Sequence, residues 1–167
     1  MQQVVEFDPQ TGTERPNQEP PLAFLDTDIV LGYLRGEPSA VQLFSAESEG
    51  RIRFAISPIV LGELILTTDA AAKPELDRIL DHLNVLPIDY AKAKSLAAEA
   101  SRALDKMPNG GQAPRNRLPH PSDIIIASGI GDSDFLVTSN SLLKDLVAGA
   151  KPQVVTLEEL VARLRAA

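Results

Sequence analysis

The sequence has 167 residues, of which 44% are hydrophobic, so it is long and apolar enough for one folded domain and is not a disordered chain. Its formal net charge of −7 argues against a general nucleic-acid coat protein, although a nuclease with an acidic, metal-binding site stays open. The absence of cysteine excludes disulfides and thiolate metal sites, and the two histidines do not favour a histidine-rich zinc site, which leaves oxygen-ligated metals.

The chain begins with a polar stretch rich in proline. Residues 1–21 are expected to form a flexible or loosely docked tail, and residues 22–167 a single domain. No apolar run approaches the roughly 20 residues that span a bilayer, and no basic-then-apolar leader is present. We therefore expect a cytoplasmic protein that does not associate with a membrane.

Residues 22–29 are a short apolar run that ends in two carboxylates, Asp26 and Asp28. A run of this length predicts a strand buried on both faces, and ligands of parallel sheets bind beyond the carboxyl ends of the strands. Asp26 would lie at that edge, where a charge is costly unless it is paired. Asp26 could instead be a helix N-cap without chemistry, but Asp28 is the better cap candidate.

Two helices, over residues 29–35 and 39–49, and then a strand at Arg53–Ile56 are predicted next. Ser57 and Pro58 have the residue types of an N-cap and a first helical position. Glu63 is the only charged residue in the first two turns of the helix that follows. Glutamate is seldom buried without a partner, so Glu63 is a second candidate for a site at the sheet edge.

The middle of the chain predicts a helix over 73–83, a strand over 84–87 and a long helix that Asp89 caps and that reaches about residue 104. Residues 107–121 contain two glycines and four prolines, together with Arg115 and Arg117. A loop of this length is expected to have a function.

The last third again alternates helix and strand. Asp123 opens a helix over 124–130, where it could simply complement the helix dipole. A strand over 135–138 leads to Thr138 and to Asn140, which could be an ordinary turn residue. A helix over 141–147, a strand over 154–155 and a capping box over 156–159 complete the pattern. This alternation predicts an α/β fold with a parallel sheet between two helix layers.

The acids occur in an order that resembles the PIN-domain family, and within it the VapC-like toxins. The family's four motifs match Leu25-Asp26-Thr27-Asp28, the segment from Ser57 to Glu63, Asp123 with the apolar helix behind it, and Thr138-Ser139-Asn140. Asp28 stands where Asn is more frequent, and Asn140 stands where many relatives have a fourth acid. The matched region runs from Leu22 to the C-terminus without the loop before Asp123.

The resemblance implies a PIN-like three-layer sandwich with a central, mostly parallel sheet. It also implies hydrolysis of RNA with Mg²⁺ or Mn²⁺, on Asp26 and Asp123 as principal ligands and Glu63 as a ligand or as the group that orients water. Thr138 and Asn140 would complete the shell by hydrogen bonding, and Asp28 could support Asp26. A small DNA-binding antitoxin and a homodimer are the implied partners.

Positive charge for the RNA backbone would come from residues that flank the motifs: Arg35, Arg115, Arg117 and Lys144. Each of them could equally be an ordinary surface charge.

Two other functions fit parts of the sequence. One is a PIN-like binding module without catalysis, which the charge of −7 and Asn140 favour slightly. The other is an aspartyl phosphatase of the HAD type, with Asp26 and Asp28 as nucleophile and acid and residues 131–134 as the metal motif. The order of the motifs argues against it, and Glu63 would have no role there.

Overall fold

The computed structural model describes residues 19–105, 120–147 and 152–166. In these ranges strands and helices alternate as the sequence predicts. The strands are β1 (Leu22–Leu25), β2 (Arg53–Ile56), β3 (Leu83–Val85), β4 (Phe135–Val137) and β5 (Gln153–Val155). The helices are α1 (Thr27–Leu34), α2 (Pro38–Ser48), α3 (Pro58–Thr67), α4 (Lys73–Leu80), α5 (Tyr90–Asp105), α6 (Pro121–Gly129), α7 (Ser141–Leu146) and α8 (Leu157–Ala166).

The five described strands form one parallel sheet in the order β3-β2-β1-β4-β5. Phe24 of β1 lies opposite Ala55 of β2 and Leu136 of β4, and all three side chains are fully buried. Strands that are apolar on both faces need helices on both sides. The predicted α/β sandwich is therefore confirmed, with a sheet whose described strands are all parallel.

The direction of the connections reverses between β1 and β4. From β1 the chain moves outward to β2 and β3, whereas from β4 it moves the other way to β5. Because parallel crossovers are right-handed, the two sets of helices cover opposite faces of the sheet. The connections that leave these two neighbouring strands run in opposite directions, and open α/β sheets form a ligand crevice at such a point, beyond the carboxyl ends of the strands.

Local sequence signals place most helix starts correctly. The Ser57 hydroxyl accepts a hydrogen bond from the Val60 N–H at 3.1 Å, and Pro58 is the first residue of α3. At α8, Thr156 and Glu159 form the reciprocal capping box, with bonds of 2.8 and 3.2 Å. Both of these predictions are confirmed.

Three predicted helix boundaries are wrong: α6 begins at Pro121 rather than at residue 124, and the other two are set by strand pairing. Helix α1 begins at Thr27 instead of residue 29, so its N-cap is Asp26 and not Asp28. Helix α4 ends at Leu80 rather than at residue 83, because Leu83 pairs with Phe54 and starts β3. In both cases strand pairing sets where the neighbouring helix can begin or end.

Helix α2 packs its large apolar side chains into the core. Leu43 is fully buried, and Phe44 stacks on Tyr33 with 4.2 Å between ring centroids and tilts against Phe54 at 4.9 Å. Val41, on the same helix, is exposed at 39%. Leu43 and Phe44 are therefore buried within the chain and offer no apolar surface for a contact with a second chain.

The three described residues of the predicted tail contact β2. Arg53 forms an ion pair with Glu19 at 2.8 Å, and its side chain and backbone donate to the carbonyl oxygens of Pro20 and Pro21. Residues 1–18 and 106–119 lie outside the described part of the chain, and Arg115 and Arg117 lie there too. No helix among the described residues is long and apolar enough to cross a membrane.

Candidate functional site

The predicted site residues meet at the carboxyl edge of the sheet, between β1 and β4. Asp26 directly follows β1, and Thr138 directly follows β4. The Asp26 N–H donates to the carbonyl oxygen of Val137 at 3.1 Å, which holds the two strand ends together. The candidate site therefore lies at the point where the sheet topology reverses.

Asp26 is held by two donors. One carboxylate oxygen accepts a hydrogen bond from the Thr27 N–H at 2.9 Å, and the other accepts from the Thr138 hydroxyl at 2.6 Å. Burial raises the pKa of Asp26; the bonds from Thr138 and Thr27 lower it, and the nearby charges of Asp28 and Glu63 raise it further. The net pKa is raised, so the ionised form of this carboxyl is disfavoured.

Glu63 reaches the same edge from α3. The helix buries Val60 and Leu64 completely, which turns the Glu63 side chain toward the start of α1. There its carboxylate accepts a hydrogen bond from the Thr27 hydroxyl. Thr27 thereby joins Asp26 and Glu63, the backbone N–H bonding one acid and the side chain the other.

Asp123 lies in the first turn of α6 and is 8% exposed. One of its oxygens accepts from the backbone N–H of His120 at 2.7 Å, in the manner of a capping box. The other accepts from the side-chain amide of Asn140 at 3.0 Å. The carboxylate therefore has a fixed orientation.

Asn140 is the N-cap of α7 and not only a turn residue. Its side-chain oxygen accepts from the N–H groups of Leu142 and Leu143 at 3.0 and 3.3 Å. Its backbone N–H donates to the Thr138 hydroxyl at 3.0 Å. Since the carbonyl oxygen already accepts two bonds, the amide nitrogen is the part that faces Asp123.

Asp28 is exposed and lies one residue inside α1. Its carboxylate accepts a hydrogen bond from the Ser139 hydroxyl, in the turn between β4 and α7. The expected capping role is therefore wrong. Asp28 instead ties α1 to the turn that carries Asn140 and adds negative charge near Asp26.

The contacts form one continuous hydrogen-bonded chain. It runs from Glu63 through Thr27 to Asp26, and from there through Thr138 and Asn140 to Asp123. All three predicted acids belong to it, and so do Thr138 and Asn140, whereas the third predicted supporting residue, Asp28, bonds to Ser139 outside it. Sequence reasoning did not assign roles to Thr27 and His120, although Thr27 stands inside the first motif.

The predicted cations lie at different distances from this chain. Arg35 caps the far end of α1, nine residues after Asp26, which at 1.5 Å per residue is about 13 Å away. Lys144 is one turn into α7, and its backbone N–H donates to the carbonyl oxygen of Asn140 at 3.1 Å. Lys144 is therefore nearer to the site than Arg35 is.

The phosphatase alternative fails on placement. Residues 131–134 precede β4, so they lie at the amino edge of the sheet, opposite Asp26. Asp134 bonds there to the backbone of Leu22, through its carboxylate at 2.9 Å and its own N–H at 2.8 Å. The proposed metal motif cannot act on the same substrate atom as Asp26.

The donor chemistry of the site suits a hard divalent cation, because its side chains present only oxygen ligands. The acidic side chains, however, are not gathered around one point. In residues 19–105, 120–147 and 152–166, no three or more His, Asp or Glu side chains are gathered so that they could hold a metal ion. As the side chains stand, each acid is bonded to protein donors.

Comparison with known proteins identifies the fold. No family model and no curated protein matches the sequence. Solved structures do match: VapBC2 from Rickettsia felis bound to a DNA fragment from its promoter (TM-score 0.57, 20% identity, 81% of this chain and 98% of that one). A second match is a toxin–antitoxin complex from Klebsiella pneumoniae, with a TM-score of 0.53 and 20% identity over 81% of this chain and 97% of that one. A third is VapBC-1 from nontypeable Haemophilus influenzae, with a TM-score of 0.54 and 17% identity over 82% of this chain and 98% of that one. The predicted PIN-like fold is thereby confirmed.

Proposed function

We propose that this chain is a divalent-metal-dependent endoribonuclease and the toxin of a type II toxin–antitoxin pair. The observation that carries the proposal is the hydrogen-bonded chain that joins Asp26, Glu63 and Asp123 at the topological switch point. A solvent-facing capping network would not require three acids from three separate parts of the sequence.

Asp26 and Asp123 would be the principal ligands of Mg²⁺ or Mn²⁺, and Glu63 a further ligand or the group that orients water. A bound ion of this kind would lower the pKa of a water molecule, so that hydroxide forms more readily to attack a phosphodiester, and it would neutralise the negative charge that develops on the phosphate. The raised pKa of Asp26 reflects burial next to like charges, which a cation would relieve.

Without a bound cation, the neighbouring hydrogen-bond donors fix the orientation of the acidic side chains. Thr138 and Thr27 orient Asp26, and Thr27 also holds Glu63. For three acids to share an ion, the Glu63 side chain would give up its bond to the Thr27 hydroxyl and turn toward Asp26. Asp123 would keep its orientation through Asn140.

The structural neighbours support the proposal of an antitoxin partner. They include toxin–antitoxin complexes, and one of them is bound to a DNA fragment from its promoter. A chain with a net charge of −7 is poorly suited to bind DNA itself, so we assign DNA binding to a small antitoxin that also covers the acidic site. The protein would act as a homodimer in the cytoplasm.

Cleavage of single-stranded RNA with Mn²⁺ tests the enzyme proposal. Asp26→Asn and Asp123→Asn should each lose about 10²-fold or more in rate, the scale for removing one group that stabilises transition-state charge. Asp77→Asn changes an exposed acid of α4 and should cleave normally. Chelator should abolish all cleavage, whereas full activity of Asp26→Asn would overturn the assignment.

A binding module without catalysis is the second candidate. It is favoured by the absence of a gathered three-acid group among the described residues and by Asn140 in place of a fourth acid. It predicts RNA binding without cleavage in Mn²⁺, which the same experiment distinguishes from the enzyme.

A further inference from the structure

His120 has a fixed position beside Asp123. Its backbone N–H donates to the Asp123 carboxylate at 2.7 Å, so the residue is part of the hydrogen-bonded chain at the site. Its ring nitrogen Nδ1 lies 2.8 Å from the Ser122 hydroxyl and accepts the Ser122 N–H at 3.3 Å. Although its backbone is bound in this way, the residue is exposed.

The contacts with Ser122 orient the ring. Nδ1 accepts the Ser122 N–H, so Nε2 is the ring nitrogen that is left to donate to another group. The ring is thus an oriented donor on an exposed residue that is bonded to one of the proposed metal ligands.

An acidic site that acts on RNA needs donors for the phosphate oxygens, because phosphate contacts position a nucleic acid. Of the two described residues that were predicted to contact RNA, Arg35 is about 13 Å from Asp26 along α1, and Lys144 bonds to Asn140 through its backbone N–H. His120 bonds directly to Asp123 through its backbone N–H. The chain's other histidine, His82, precedes β3 and therefore lies at the opposite edge of the sheet.

We infer that His120 is an RNA-contacting residue whose Nε2–H donates to a non-bridging phosphate oxygen next to the bond that is cut. The inference rests on the proposed function and adds a substrate contact to it. The alternative is that His120 only caps α6.

The decisive variant is His120→Asn, since Asn is a strong N-cap and should keep the α6 start while it removes the imidazole. The matched control is His82→Asn. Binding of a fluorescein-labelled single-stranded RNA is measured by anisotropy with EDTA present, so that no cleavage occurs, and melting temperatures are measured in the same buffer.

We expect His120→Asn to bind this RNA about tenfold more weakly, as for loss of one hydrogen bond to a charged group, with an unchanged melting temperature. His82→Asn should bind like the unaltered protein. In Mn²⁺, His120→Asn should raise KM more than it lowers kcat, because the contact forms with substrate as well as with the transition state.

Equal RNA binding by His120→Asn and the unaltered protein would overturn the inference, as would a failure of the unaltered protein to bind RNA at low salt. Neither result depends on catalysis. RNA binding that requires His120 without cleavage would support the inference and contradict the enzyme proposal instead.

Discussion

The side-chain amide of Asn140 donates a hydrogen bond to Asp123, with 3.0 Å between nitrogen and oxygen. Because the Asn140 oxygen is occupied by the N–H groups of Leu142 and Leu143, the amide cannot turn its oxygen toward the site without uncapping α7. Asn140 therefore acts on Asp123 as a donor, whereas an acid in its place would offer a further anionic ligand.

Asn140→Asp should destabilise the metal-free protein and strengthen metal binding. Asp caps helices as well as Asn does, so α7 should persist, but two carboxylates would then face each other. The added anion should also bind a hard cation more tightly. The expected result is a lower melting temperature in EDTA and a larger rise on adding Mn²⁺ than in the unaltered protein.

Titration calorimetry checks the metal count in the same pair of proteins. The unaltered chain should bind one Mn²⁺ firmly without RNA, since Asn140 has no oxygen to spare for a second ion. Two strong sites per unaltered chain would refute this interpretation of Asn140.

Thr138 should be needed for its hydroxyl rather than for its shape. Its side chain is fully buried, donates to Asp26 at 2.6 Å and accepts the Asn140 N–H at 3.0 Å. Thr138→Val should cost about 1–3 kcal/mol of unfolding free energy because it leaves buried polar groups without partners. Urea unfolding measures this, with Thr138→Ser as the control that keeps the hydroxyl; similar midpoints for both variants would contradict the assignment.

Asp26 should lower stability at neutral pH. Its pKa is raised in the folded state, so the folded protein holds this proton more firmly than the unfolded chain does. The contribution of this group to stability is therefore fully present below its ordinary pKa of 3.8 and declines as the pH rises through the folded value.

Asp26→Asn removes that charge and should melt higher than the unaltered protein at pH 7 in EDTA, by about 2–4 °C for each kcal/mol gained. The difference should shrink as the pH falls toward 4. Calorimetric melting at both pH values tests it, and a gain that grew on acidification would contradict the direction of the pKa change. The same substitution should lower the proposed activity about 10²-fold or more, so stability and function would oppose each other at this residue.

Residues 1–20 should be dispensable for folding. A chain that begins at Pro21 loses the contacts of Glu19 and Pro20 with Arg53, and an exposed ion pair of this kind contributes about 0–1 kcal/mol. It should melt within a few degrees of the full chain. A matched truncation that begins at Glu19 separates these contacts from anything residues 1–18 add, and a large loss in that variant would show that they dock on the domain.

The proposed homodimer should be tested by light scattering at micromolar concentration. The apolar residues Leu43 and Phe44 are buried within the chain and cannot mediate it. Exposed apolar side chains on α3 remain, with Ile65 at 51% and Leu66 at 86% exposure. Ile65→Lys with Leu66→Lys should lower the mass only if a dimer uses that helix, and a monomeric unaltered protein would remove the dimer from the proposal.

Local structure can be predicted from the sequence alone. Strand β2 was predicted at its exact residues, and the capping signals at Ser57 and at Thr156 with Glu159 were read correctly, because each depends on neighbours within one helical turn. The order of the acids and the resemblance to a known family also predicted which carboxylates would meet at one edge of the sheet.

The contacts of each side chain depend on the tertiary fold. Thr27 reaches Glu63 across 36 residues and Thr138 reaches Asp26 across 112, and both contacts exist only because β1 lies between β2 and β4. The same strand order gives Asp28 a partner in Ser139 and leaves the cap to Asp26. Local patterns carry the period of one helix or strand, whereas the order of strands in a sheet depends on how the whole chain packs.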